Sequence, residues 1–215
     1  MSMDWEALLI PYKQAVDELK IKFRGMREQF EKSNQHCPIE FVTGRVKPIK
    51  SIVNKAYQKN IPDQHLETEI QDLAGLRIMC QFTDDIKTVI NLLRQRNDFT
   101  IVEERDYITH KKPSGYRSYH IVIEYPVQVL DGEKKILVEV QVRTLAMNFW
   151  ATIEHSMNYK YQGQIPEDIR QRLQRAAEAA NRLDEEMSQI KGEIQEAQLV
   201  FLERNDKSNE TNLGS

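Results

Sequence analysis

The sequence predicts an α/β fold of the α+β kind: a mixed β-sheet core of about five strands flanked by helices, with long N- and C-terminal helices. Three observations predict it. Apolar residues step by three and four at both ends of the chain. Short stretches in between alternate in period two or run apolar. The chain has 215 residues with 40% hydrophobic content, enough for one domain with a real core.

Each element has its own signal. From Trp5, apolar residues fall at Leu8, Tyr12, Val16, Leu19, Phe23, Met26 and Phe30, one stripe of a long helix over 4–33 with Pro11 as its blemish. Pro48 opens a helix from Ile49 to Gln58. A βαβ-like passage follows, with a strand at Leu76–Phe82, a helix from Asp84 to Arg94 and a strand at Asp98–Val102. Tyr119–Tyr125 and Ile136–Arg143 read as strands joined through the hairpin signal Asp131-Gly132. Thr144–Tyr161 reads as helix. From Pro166, the row Ile169, Leu173, Ala176, Ala180, Leu183, Met187, Ile190, Ile194, Ala197 and Phe201 alternates steps of four and three, a heptad pattern. The reading is one domain over 1–204, its core at 40–160 and its heptad helix at 166–204, before a polar tail at 205–215 expected to be disordered.

Composition excludes several function classes. Lys+Arg 30 against Asp+Glu 33 leaves a net charge of -3, so a polyanion site must be a local basic patch. No apolar stretch approaches the ~20 residues of a membrane span, and the acidic N-terminus is no secretory signal. A cytoplasmic protein without membrane contact is expected. Cys37 and Cys80 have no metal-like spacing; they are either one disulfide or two thiols of a reducing compartment.

One basic patch exists. Residues 41–60 hold Arg45, Lys47, Lys50, Lys55 and Lys59 and no acid, and Lys47, Ser51, Lys55 and Lys59 recur every four residues. The stripe is either a solvated face or a cradle for nucleotide phosphates. The glycines are only 8 in number, and Gly44, Gly75, Gly115 and Gly132 stand isolated, so no phosphate loop of backbone amides is present and side-chain cations must do that work. Arg77 and Arg105 are further candidates. In Glu139-Val140-Gln141-Val142-Arg143, alternation separates the polar residues from the valines, so the polar face meets solvent or lines a cleft. Asp72 brings a second carboxylate toward the same sheet end, and paired carboxylates suit a Mg²⁺ that serves phosphates. In the loop Lys111-Lys112-Pro113-Ser114-Gly115-Tyr116, the tyrosine either stacks on a base or packs. His120 and His155 lack metal-ligand spacing.

Four segments, Glu40–Lys47, Asp72–Arg77, Ser114–His120 and Glu139–Thr144, together resemble the RelA/SpoT-type alarmone synthetases, in particular the stand-alone RelQ type. The resemblance implies transfer of the pyrophosphate of ATP to the 3′-OH of GDP or GTP, with Mg²⁺ as cofactor. It assigns Arg45, Lys47, Ser51, Lys55, Arg77 and Arg105 to ATP. Asp72 and Glu139 become metal-linked carboxylates, Glu139 also the acceptor of the 3′-OH proton. Tyr116 matches the residue that stacks on the acceptor guanine, with Ser114, Lys112, His120 and Gln141 beside it. The resemblance further implies a homotetramer and an allosteric alarmone at Lys20, Arg24, Arg27, Glu40, Phe41, Thr43 and Asn148. Lys59 stands where arginine is common in the family, and Arg24 where lysine is. No histidine is followed by aspartate, so the His-Asp pair of alarmone-hydrolysing relatives is missing from this sequence. A catalytically inactive nucleotide- or RNA-binding module on the same fold, and a helical scaffold, are the competing readings.

Overall fold

The computed structural model describes residues 3–33, 35–160 and 166–212, with side chains over 3–33, 35–157 and 166–198 and at 201. Tyr161, where the helix from Thr144 was expected to end, lies outside the described residues, as do 213–215.

Helix α1 (Trp5–Lys32) begins at Asp4, whose carboxylate accepts the Glu6 and Ala7 amides at 3.1 Å each. Five strands follow, β1 (Phe41–Val46), β2 (Ala74–Cys80), β3 (Thr100–Asp106), β4 (Tyr119–Val129) and β5 (Gly132–Thr144). They form one sheet in the order β1-β2-β5-β4-β3. Only β2 and β5 pair parallel. The remaining helices are α2 (Ile49–Lys59), α3 (Leu66–Glu69), α4 (Thr83–Arg94), α5 (Leu145–Lys160) and α6 (Glu167–Asn212).

Alternation gives the sheet two unlike faces. Val42, Leu76, Ile78, Ile121, Ile123, Val138, Val140 and Val142 are buried in one cluster with Tyr12, Val16, Leu19 and Phe23 of α1 and Ile86, Val89, Ile90 and Leu93 of α4. Gly44 lets α1 approach β1: a Cβ there would lie 2.8 Å from Val16 Cγ1. The opposite face carries Arg77, His120, Glu139, Gln141 and Arg143.

Three expectations are corrected. The strands of the βαβ-like passage are not neighbours, because the long β4–β5 hairpin, paired from Tyr119↔Val142 to Val129↔Gly132, lies between them. The fifth strand, β1, sits in the segment read only for its charge. Helix α6 continues through 205–212, which the tail was expected to occupy, since no Gly or Pro interrupts it between Gly192 and Gly214.

Helix α6 meets the rest of the chain through a polar row. Asp184 Oδ2 accepts from Thr144 Oγ1 at 2.6 Å, and Lys191 Nζ donates to Asp85 Oδ1 at 3.2 Å. Trp150 of α5 donates its indole N–H to the Leu173 carbonyl at 2.9 Å. Much of the heptad row beside this one is left open: Leu183, Met187, Ile190 and Ile194 are 38–54% exposed. With Leu145 and Phe149 of α5, Leu183 borders an apolar groove of about 480 Å³. The middle of the α1 stripe, Tyr12, Val16, Leu19 and Phe23, is by contrast buried in the core cluster. Both cysteines are free, and burial holds the Cys80 thiol well above its ordinary range.

Candidate active site

The polar face of the sheet opens into a cavity of about 170 Å³ lined by Thr43, Arg45, Asp72, Arg77, Glu139 and Gln141 among others. Its residues come from strands whose register sets them side by side. Arg77 pairs with Gln141 and with Thr43, and Gly75 with Glu139. A glycine opposite Glu139 leaves room at the carboxylate.

Asp72, just before β2, is held between two cations. Lys47 Nζ donates to Oδ2 at 2.8 Å and Lys55 Nζ to Oδ1 at 2.7 Å. Burial pushes the Asp72 carboxyl up, but the two ammonium groups outweigh it and hold it below its ordinary range. The acid-free stripe thus finds its acid 25 residues from Lys47, in another element. Ser51 lies half-buried on α2 between the two lysines in sequence, and Lys59 is exposed at the helix end. Burial first, and then the neighbouring charges of Arg143 and Arg45, weaken the hold of Arg77 on its proton. These guanidiniums are a cationic wall built to receive phosphate.

Glu139 is the second carboxylate. His120 Nδ1 lies 3.1 Å from Oε1, and Gln141 Nε2 donates to Oε2 at 2.6 Å. Burial raises this carboxyl, yet these partners hold it lowered, so it is ionised at neutral pH. Asp72 opposes that effect through its charge, which shows that the two carboxylates feel one another. Hard oxygen donors around one cavity suit Mg²⁺.

The residues that the resemblance assigns to the acceptor nucleotide gather next to Glu139. Tyr116 Oη lies 2.8 Å from His120 Nε2 and accepts from Arg143. Lys112 Nζ sits 4.4 Å from the Tyr107 ring centre and 5.0 Å from that of Tyr116. The Ser114 hydroxyl accepts the Tyr116 amide at 3.4 Å. Gly115 takes φ +86, which favours glycine.

Other candidates are placed elsewhere. Arg105 on β3 engages Glu103 and Gln71 and is not among the residues lining the cavity beside Arg45 and Arg77. Of the allosteric set, Thr43 lines the cavity. Lys20 pairs with Asp17 at 3.7 Å and Arg27 with Glu31 at 2.9 Å on α1, where Arg24 is exposed. Glu40 accepts from Gln81 at 2.6 Å, and Phe41 is partly open. Asn148, on α5, has a buried Oδ1 without a hydrogen-bond partner. Sequence reasoning gave no role to Arg143, although alternation had set it on the polar face with Glu139. Among the described residues no group of three or more His, Cys, Asp and Glu forms a metal cluster, and no helix is long and apolar enough to cross a membrane.

Comparison with known proteins agrees with this fold. Residues 44–164 match the region found in RelA/SpoT proteins. The chain is 64% identical over 197 residues to the GTP pyrophosphokinase YjbM of Bacillus subtilis, covering 92% of this chain and 93% of that protein. It superposes with a TM-score of 0.87 on the crystal structure of small alarmone synthetase 1 from Bacillus subtilis bound to its product pppGpp, at 62% identity, covering 90% of this chain and 100% of that one. The same synthetase bound to AMPCPP gives a TM-score of 0.80 at 58% identity, covering 91% and 100%. With four motifs in order, a five-stranded sheet and a matched region of this extent, the chain belongs to the RelA/SpoT family of alarmone synthetases.

Proposed function

We infer that this chain is a (p)ppGpp synthetase, transferring the pyrophosphate of ATP to the 3′-OH of GDP or GTP and releasing AMP with ppGpp or pppGpp. One observation carries the site assignment: an ionised Glu139, gripped by His120 and Gln141, faces a cavity walled by Arg45, Arg77 and Asp72. Such transfer needs positioning and charge neutralisation more than covalent chemistry.

ATP lies against Arg45 and Arg77, with Lys47, Ser51 and Lys55 at the phosphates and Arg105 closing in from β3. Tyr116 stacks on the guanine, flanked by Lys112, Ser114, His120 and Gln141. The ribose 3′ oxygen attacks the β-phosphorus, the bond from that phosphorus to the oxygen shared with the α-phosphate breaks, and AMP leaves with that oxygen. Glu139 takes the 3′-OH proton. Asp72 and Glu139 would hold a Mg²⁺, which would neutralise phosphate charge during the transfer.

Assembly is part of the proposal. The open apolar rows of α5 and α6 support a homotetramer, and Lys20, Arg24, Arg27, Glu40, Phe41, Thr43 and Asn148 would form its alarmone site where subunits meet. A cytoplasmic setting fits nucleotide substrates.

The test is direct. The protein is incubated with Mg²⁺, ATP and GDP or GTP, and nucleotides are resolved by anion exchange. AMP together with a more highly phosphorylated guanosine is expected, and Glu139→Gln should lower the rate by ~10²–10⁴ at least. Activity of that variant within about threefold of wild type would place the base elsewhere.

A further inference from the structure

Arg143 is 4% exposed, its guanidinium lies 5.2 Å from the Tyr116 ring centre, and the hydrogen bonds it donates go to neutral oxygens. Nε donates to Ser118 Oγ at 3.1 Å, while Nη2 donates to Tyr116 Oη and to Gln141 Oε1, the latter at 2.6 Å. A guanidinium has only donors, so each contact dictates how its partner points. At Gln141 it holds the amide oxygen at 2.6 Å, an oxygen that also accepts a longer contact of 3.4 Å from Arg77 Nε, and the NH₂ is thereby turned toward Glu139 Oε2. At Tyr116 it occupies a lone pair, which directs the phenol proton to His120 Nε2. His120 must then carry its own proton on Nδ1, where it donates to Glu139 Oε1. Two chains of hydrogen bonds thus leave one guanidinium and end on the two oxygens of one carboxylate.

We propose that Arg143 is the positioning residue of the transfer reaction: by fixing the Tyr116 hydroxyl and the Gln141 amide, it sets the orientation of the Glu139 carboxylate toward the acceptor hydroxyl. This rests on the reading of Glu139 as the base. Arg143 touches neither reacting atom in this arrangement; it acts through three other side chains. The plane of Glu139 is held from both sides, and the lone pairs left over face the cavity. Misplacement of a catalytic group by about an ångström costs ~10²-fold, so loss of this hold is felt in turnover. Lysine is no substitute, because one ammonium cannot span Ser118, Tyr116 and Gln141 with a fixed fork.

The experiment compares Arg143→Met, Arg143→Lys, Tyr116→Phe, the double variant Arg143→Met/Tyr116→Phe, and Glu139→Gln, with kcat and KM measured separately for ATP and for GTP. The expected result is a loss in kcat of ~30-fold or more for Arg143→Met and ~10-fold or more for Arg143→Lys, with ATP KM within about threefold. Because part of the effect passes through the Tyr116 hydroxyl, the double variant should be worse than Arg143→Met by less than the factor that Tyr116→Phe shows alone. Wild-type turnover in Arg143→Lys would mean that only the charge matters and would overturn the proposal, as would strictly multiplicative losses. Should Arg143→Met fail to fold, Arg143→Lys combined with Tyr116→Phe carries the same cycle. If Glu139→Gln stays active, the reading of the base has failed. If Glu139→Gln is dead while both Arg143 variants turn over normally, only the positioning role has failed.

Discussion

Gly115 and Ala177 are in contact across two distant elements: a Cβ built on Gly115 would come within 2.5 Å of the Cβ of Ala177. The loop bearing Tyr116 is therefore seated on α6, and Tyr116 itself lies 6.5 Å, ring centre to ring centre, from Trp150 on α5.

The first prediction follows from that seat. Gly115→Ala combines a clash with an unfavourable φ of +86, so the loop must lift from α6. Guanine-nucleotide binding should weaken by roughly 1–3 kcal/mol, the same range expected for Tyr116→Ala through lost stacking. ATP affinity should stay nearly unchanged in both. Calorimetry with each nucleotide decides, and equal losses for ATP and GTP would point to a general folding defect.

Asp72 is bridged by Lys47 and Lys55, and each contact joins full charges at 2.7–2.8 Å. Lys55→Met leaves the carboxylate with one lysine partner and removes the phosphate contact proposed for Lys55. Hydrogen bonds to charged groups contribute about 1.5–3 kcal/mol, so KM for ATP should rise by about tenfold or more. Initial-rate kinetics at saturating GTP would show it, with KM for GTP little altered.

Acid stability should report on Asp98. Burial raises this carboxyl, but hydrogen bonds from Arg96 and Lys22 bring it down to about 2 from 3.8. Its folded value is depressed, so its contribution is present above the unfolded value and is lost as pH falls from about 3.8 through about 2. The site is partly exposed, with the Asp98 side chain 26% open and that of Lys22 35% open, and solvent screening limits the contribution to about 1 kcal/mol or less. Asp98→Asn should therefore lower Tm by a few degrees at neutral pH, and the difference from wild type should close near pH 2.

Leu183 and Met187 are 54% and 41% exposed on the open row of α6. Placing a charge at both should split the assembly into smaller species, because an unpaired charge in an apolar seam is costly. Activation by added alarmone should vanish with it, while basal synthesis persists. Light scattering on wild type must give a mass well above 25.3 kDa, or the tetramer is wrong.

The elements legible in the sequence are those whose pattern is long. The α1 stripe, the hairpin strands and the α6 heptads repeat often enough for periodicity to exceed noise. Strand β1 does not: Phe41–Val46 is a six-residue edge strand, too short for its alternation to stand out. Lys47 and Asp72 meet across 25 residues, and Arg143 and Tyr116 across 27, separations that one sequence does not connect. Arg105 has its acid close by in sequence. Glu103 lies two residues away on the same strand face, and the two form an ion pair. On α6 the apolar row promised the contact, yet Asp184 and Lys191 on the row beside it found polar partners in Thr144 and Asp85.

The parallel pairing of β2 with β5 has a consequence for how the protein reaches activity. Asp72 and Glu139 come together only when two segments far apart in sequence pair in register, with Gly75 opposite Glu139. Such a pairing closes a long loop and is slow compared with a hairpin. A slip by one residue would turn Glu139, Gln141 and Arg143 into the apolar layer and present Val138, Val140 and Val142 to the cleft, an arrangement with buried charge and no catalytic group. The chain therefore has no half-active misregistered form: on refolding, turnover should return together with the last structural phase, after the β4–β5 hairpin has already formed.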